Sequence, residues 1–190
     1  MGTDMDLLAR IERLEARVEI GALATRYAIA CDEHDMPALE ALFTEDASFD
    51  SPNGLMVAKG RRAILDMFEG VLSIRGPGYH WTHDHVVRFD RGEDEASGLV
   101  LSHAETTPGG IHSLAAMKYD DLYRREGGAW RFARRTISFL YYVPVAEYDG
   151  ALARTDRVVA GDRRMAADYP EHLPEWRAFA ARHRTEGDTR

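Results

Sequence analysis

The chain has 190 residues, a length that fits one domain, and its 45% hydrophobic and 29% charged residues exclude a disordered or collagen-like polymer. Lys and Arg number 24 against 32 Asp and Glu, a formal charge of −8 that repels phosphate backbones, so no nucleic-acid partner is expected. No apolar stretch nears the roughly 20 residues of a membrane span, and the charged start MGTDMDLLARIERLEARVE lacks the apolar core of a secretory signal. One cysteine, Cys31, permits no internal disulfide. The expectation is a cytoplasmic protein with no membrane partner.

Leu7, Ile11, Leu14 and Val18 recur at spacings of four, three and four, which predicts a helix with one apolar stripe. The pattern continues through Ile20, Leu23, Ala24, Tyr27 and Ala28 and runs out at His34-Asp35. Pro37 suits the first turn of a short second helix, PALEALF, with Asp35 as its N-cap. Alternation from Thr44 to Asp50 predicts a strand that ends at the turn Ser51-Pro52-Asn53-Gly54, with Leu55 to Ala58 as its hairpin partner. Gly60 to Ile74 predicts a third helix that buries Ile64, Leu65, Phe68, Val71 and Leu72.

From Gly76 the period changes to two. Four long strands are predicted at Tyr79–Asp90, Ala96–Thr107, Ile111–Arg124 and Ala129–Val143. Their short links, RGEDE, PGG and EGG, call for antiparallel pairing. After Pro144 the pattern weakens into short helical pieces, ALARTDRVV and PEWRAFAARH, and the final TEGDTR reads as frayed. Helices first and a long meander second define an α+β fold, a cone-shaped curved antiparallel sheet packed against N-terminal helices, an α+β barrel with a helical C-terminal extension. Residues 1–143 would form the barrel domain, and 144–190 the extension on or near the cavity mouth.

Three of the eight histidines fall in YHWTHDHVV. On a regular strand His80, Thr82, Asp84 and Val86 share one face, and Trp81, His83, His85, Val87 and Phe89 the other. His83-x-His85 beside His103-x-Glu105 also permits a metal reading, but cupin-type glycine and proline spacings are missing and the chain opens with long helices. With the RGEDE turn centred near Gly92-Glu93, residue 80 would oppose about residue 105, so His103 becomes a close neighbour at the end of the strip Leu99 and Leu101. Arg134 and Arg135 alternate, so one of them enters the cone. Trp81, Leu101, Met117, Tyr119 and Tyr141 supply soft apolar and aromatic surface for a ring-containing hydrophobic substrate, or for a sheet face buried in a homodimer or higher homo-oligomer. Neither a Gly-rich phosphate loop nor a nucleophile elbow is present, and no cofactor and no metal are expected.

Tyr27–x4–Asp32 followed by Met36-Pro37-Ala38-Leu39-Glu40-Ala41-Leu42-Phe43, His80 opening a strand that ends Val86-Val87-Arg88-Phe89-Asp90, and Gly127-Gly128-Ala129-Trp130-Arg131-Phe132 occur in this order. In this the chain resembles the SnoaL-like branch of the nuclear-transport-factor-2-like superfamily. The resemblance implies the cone fold, and it points to dehydratases of the scytalone dehydratase and bile acid 7α-dehydratase kind, with polyketide cyclases, ligand carriers and dioxygenase small subunits as further functions of the same fold. Such dehydratases place a tyrosine and an aspartate on the first helix, here Tyr27 and Asp32, and a histidine on a strand, here His80. The bile-acid type adds a polar residue on the next strand, here His103. Where the family often has His-His, with Asn four residues on, this chain has Tyr79-His80 and Asp84. The implied chemistry is a cofactor-free elimination, with His80 and Asp32 moving a proton and Tyr27 donating to a developing oxyanion. Tyr27 and Asp32, five apart, lie about 140° apart around a regular helix and share a face only loosely. The alternative has Tyr27 filling the core and Asp32 solvated.

Overall fold

The computed structural model describes residues 2–183. Helix α1 spans Gly2–Asp32, α2 spans Met36–Ala41, strand β1 spans Phe43–Asp50, the short β2 spans Ala58–Lys59, and α3 spans Arg61–Ser73. Strands β3 (Tyr79–Arg88), β4 (Glu95–Thr106), β5 (Ser113–Glu126) and β6 (Ala129–Pro144) follow. A 3-10 segment at Val145–Ala153, the short strands β7 (Val158–Ala160) and β8 (Arg163–Met165), and helix α4 (Pro174–His183) complete the described chain. The sheet runs β2-β1-β6-β5-β4-β3 and stays open, with β7 and β8 added beside β6. The meander is antiparallel as the turns require, but β1 joins β6 in parallel, so the sheet is mixed. Part of the extension expected to be helical is extended instead: Val158 and Val159 of ALARTDRVV form β7.

Asp35 caps α2 as expected, its Oδ1 accepting from the Ala38 amide at 2.9 Å. Helix α3 buries Ile64, Phe68 and Leu72 against the sheet, with Leu65 and Val71 half-covered. Helix α1 divides into two stretches. Ile20, Leu23, Ala24, Tyr27 and Cys31 are buried in the cone. The stripe Leu7, Ile11, Leu14 and Val18 forms, yet among the described residues nothing covers it, and Val18 is 72% exposed. The helix runs along the edge strand: Arg17 Nη1 donates to the Val87 carbonyl at 2.9 Å, and its guanidinium stacks on Phe89. The segment TEGDTR lies outside the described residues.

Of the two adjacent arginines, Arg135 enters the cone and is 1% exposed. Its guanidinium carbon lies 4.1 Å from the Tyr27 ring centroid, 3.9 Å from Tyr119 and 4.3 Å from Phe132. Three aromatic faces thus replace water around the cation. Its Nε lies 3.3 Å from Asp121 Oδ1 without hydrogen-bond alignment, and the other Asp121 oxygen accepts from Tyr123 Oη at 2.8 Å. Gly98 makes room for this arrangement, because a Cβ there would lie 2.8 Å from the Tyr123 ring. Burial pushes the Asp121 carboxyl up to about 6, against the lowering pull of Arg135.

The segment after β6 is fastened by a second buried guanidinium. Arg157 donates to the carbonyls of Leu140, Arg154 and Tyr169 and pairs in a fork with Glu171, at 2.8 and 2.9 Å. Asp168 then accepts from the Phe139 amide at 2.8 Å and from Asn53 Nδ2 at 3.0 Å, so the extension, the loop after β1 and β6 are tied together. Because Asp121 is the one buried counter-charge to the Arg135 cation among the described residues, Asp121→Ala is expected to cost about 3–5 kcal/mol in urea unfolding. A loss below about 1 kcal/mol would show that the aromatic faces alone hold the guanidinium.

Candidate active site

Helix α1 ends at Asp32, where a carboxylate opposes the negative end of the helix dipole. His80, second residue of β3, answers it twice. Its backbone N–H donates to Asp32 Oδ2 at 2.9 Å, and its Nδ1 meets Asp32 Oδ1 at 2.5 Å. Both side chains are largely covered, at 11% and 14% exposure. A carboxylate on Nδ1 holds the Nδ1–H tautomer and leaves Nε2 as the proton acceptor. The 140° offset between Tyr27 and Asp32 is absorbed because they do different things: Tyr27 points inward from the helix body, while Asp32 at the last turn reaches sideways to β3.

Tyr27 and His80 line one cavity together with Cys31, Thr106, Met117 and Tyr119. Met56, Phe68, Phe139 and Tyr142 complete its lining, and the half-buried Arg75 lies at its rim. Its free volume is only about 30 Å³, room for one or two waters. Burial raises the Tyr27 hydroxyl far above its ordinary range and pushes Tyr119 up to about 12, so both stay protonated donors. Thr106 and Tyr142 share a hydrogen bond of 2.8 Å on the same wall. Cys31, the residue just before the carboxylate, is pushed up to about 12 by burial and is a thiol rather than a nucleophilic thiolate.

Four expected site residues lie elsewhere. His80 opposes Ala104, not residue 105, and this one-residue difference turns His103 to the outer face of the sheet. There His103 stands beside Trp81 in register, and its Nδ1 meets His83 Nε2 at 2.9 Å. Burial and His83 hold the His103 imidazole below its ordinary range. Trp81, Leu101 and Tyr141 are on that outer face too; Trp81 is 51% exposed and Tyr141 packs beneath Tyr148 of the 3-10 segment. Met117 and Tyr119 are the two expected substrate contacts that line the cavity. A bulge between Thr82 and His85 reverses the second half of β3, so His85 points inward, where its Nε2 meets Tyr123 Oη at 3.0 Å. His83 and His85 therefore face opposite ways and cannot share a metal. Among the described residues no group of three or more His, Cys, Asp and Glu converges as metal ligands.

The model of the SnoaL-like domain matches residues 12–136, the stretch from α1 into β6. The chain belongs to the SnoaL-like domain family. Among curated proteins it is similar to the gamma-hexachlorocyclohexane dehydrochlorinase of Sphingobium indicum, 26% identical over 144 residues, 73% of this chain and 90% of that protein. Among solved structures it is similar to LinA, with 26% identity, a TM-score of 0.65, and coverage of 73% of this chain and 95% of the other. A scytalone-dehydratase-like protein of Novosphingobium aromaticivorans superposes with a TM-score of 0.65 at 23% identity, over 71% of this chain and 91% of the other, which bears on the fold alone. The expected SnoaL-like membership and α+β cone are thus both found. No described helix is long and apolar enough to cross a membrane.

The buried thiol provides a direct check on the closed state of the cavity. Cys31 is expected to resist Ellman's reagent at pH 7.5 in the native protein and to react at once, one equivalent per chain, in urea. Rapid stoichiometric labelling of the folded protein would contradict the closed cavity wall.

Proposed function

We propose that the chain is a lyase-type enzyme that eliminates water or hydrogen halide from a cyclic hydrophobic compound by acid–base chemistry. The observation that carries this reading is the Asp32–His80 pair at 2.5 Å, whose histidine lines the cavity beside Tyr27. His80 Nε2 takes a proton from a ring carbon, the C–H electron pair becomes the new double bond, and the leaving group departs from the neighbouring carbon with its bonding electrons. Asp32 stabilises the imidazolium formed in that step, and the His80 proton then passes to the departing group or to water. Tyr27, held protonated by burial, donates to negative charge that develops on the substrate. The relatives named as hexachlorocyclohexane dehydrochlorinases support a reaction of this type, since loss of hydrogen chloride and loss of water share the same proton removal.

A ring cannot enter 30 Å³, so binding requires the lining to yield. Met56 and Met117, unbranched and flexible, are the wall residues best suited to rearrange around it. Arg135, stacked on Tyr27 and Tyr119, instead holds those two rings rigid.

The test is acid release from γ-hexachlorocyclohexane and water loss from 3-hydroxycyclohexanone, followed for wild type and variants. His80→Ala is expected to lower kcat by about 10²–10⁴-fold with the fold retained. Asp32→Asn should lower it through the imidazolium, and Tyr27→Phe more mildly. His83→Ala, on the outer face, is the control and should leave the rate unchanged. Full activity in His80→Ala, or loss confined to His83→Ala and His103→Ala, would overturn the reading.

A further inference from the structure

Three arginines reach the interior or rim of the cone, and they differ in what their charge is already doing. Arg157 is saturated by three carbonyls and Glu171. Arg135 is enclosed by aromatic rings beside Asp121. Arg75 lines the cavity that holds Tyr27 and His80 and also the small recess at its mouth with Cys31, Asp32, His34 and Thr106. Among the described residues no carboxylate forms an ion pair with the Arg75 guanidinium and no side chain or carbonyl hydrogen-bonds to it, and the nearby Asp32 is occupied by His80. A half-buried guanidinium without a protein partner is a vacant anion receptor, because its donors fit a carboxylate's two oxygens as a fork.

The backbone around Arg75 is fixed. Its N–H donates to the Leu72 carbonyl at 3.0 Å, and the residue bridges to Pro108 beyond the end of β4. The glycines on either side of Pro77 press against β4 so closely that a Cβ at Gly76 would lie 2.9 Å from Thr107 Oγ1, and one at Gly78 would lie 3.0 Å from the Glu105 carbonyl. His34, across the same recess, holds a left-handed backbone at φ 55°, uncommon for a residue with a side chain. The rim is thus a built, preorganised corner that carries positive charge next to the proton-transfer pair.

We propose that the substrate of this site carries a carboxylate, bound by Arg75 at the cavity mouth while the ring enters toward His80. The proposal rests on the elimination reading for its substrate role, but its test reads binding alone. Wild type, Arg75→Met and Arg75→Lys are titrated calorimetrically with cyclohexanecarboxylate, its neutral carboxamide and acetate, while the His80 ring resonances are followed by NMR. The ring carboxylate is expected to bind wild type at least tenfold tighter than the carboxamide or acetate and to shift the His80 signals. Arg75→Met should weaken it by about 10–100-fold, the worth of a charge-assisted hydrogen-bonded contact, with partial recovery in Arg75→Lys. Equal binding of carboxylate and carboxamide, equal binding of acetate (an adventitious anion site only), an unaffected Arg75→Met, or no binding by wild type would overturn it. His80→Ala is expected to keep carboxylate binding, so a failure of the elimination reading would leave this result intact and recognisable.

Discussion

A carboxylate at the C-terminal end of a 31-residue helix is electrostatically misplaced, and the site is organised around the way this chain answers it. Asp32 is bonded not by a lysine but by the amide and imidazole of one residue on the far edge strand. That double contact joins α1 to β3 across 48 positions of sequence, closes the cone over its core and fixes the histidine tautomer. Stability and reactivity share one geometry here. The pair that holds the helix to the sheet is also the pair able to move a proton.

The interior on the other side of Tyr27 follows a different principle. Arg135 is held by ring faces and one buried carboxylate, with two of its nitrogens lacking a hydrogen bond. This is a costly way to fill a core, and it makes Tyr27 a rigid wall rather than a mobile donor. The adaptable part of the lining is Met56 and Met117, which border the cavity together with Phe139. Phe139 and the loop before Met56 are both fastened to Asp168 of the extension, which couples the segment after Pro144 to the cavity lining.

The architecture was legible because it rests on periodicity. Helix α3, the four long strands and their tight turns follow from spacing that any burial of one face would require. Tyr27, Asp32 and His80 could be named from the family resemblance, and Met117 and Tyr119 as part of the sheet's soft apolar and aromatic surface, a criterion that did not separate them from Trp81, Leu101 and Tyr141. What could not be read was parity. The β3–β4 turn sets His80 opposite Ala104 rather than a residue later, and that single step puts His103 and Leu101 on the outer face; Trp81 follows from strand alternation with His80, and Tyr141 from its pairing through Ala116 to His103. The bulge at Thr82–His85 left no sequence mark, yet it separates His83 from His85. Arg75 carried no signal at all, because its surroundings are assembled from α1, β3 and β4, and Asp121 none, because its partner Arg135 is brought to it only by the β5–β6 pairing.

The central claim is that Asp32 holds His80 with its proton on Nδ1 and a free lone pair on Nε2. Long-range nitrogen–proton correlation NMR of the neutral imidazole reads this directly. The account predicts that wild type shows the Nδ1–H form and that Asp32→Asn loses this preference. A dominant Nε2–H form in the wild-type protein would contradict it, since no base would then face the cavity.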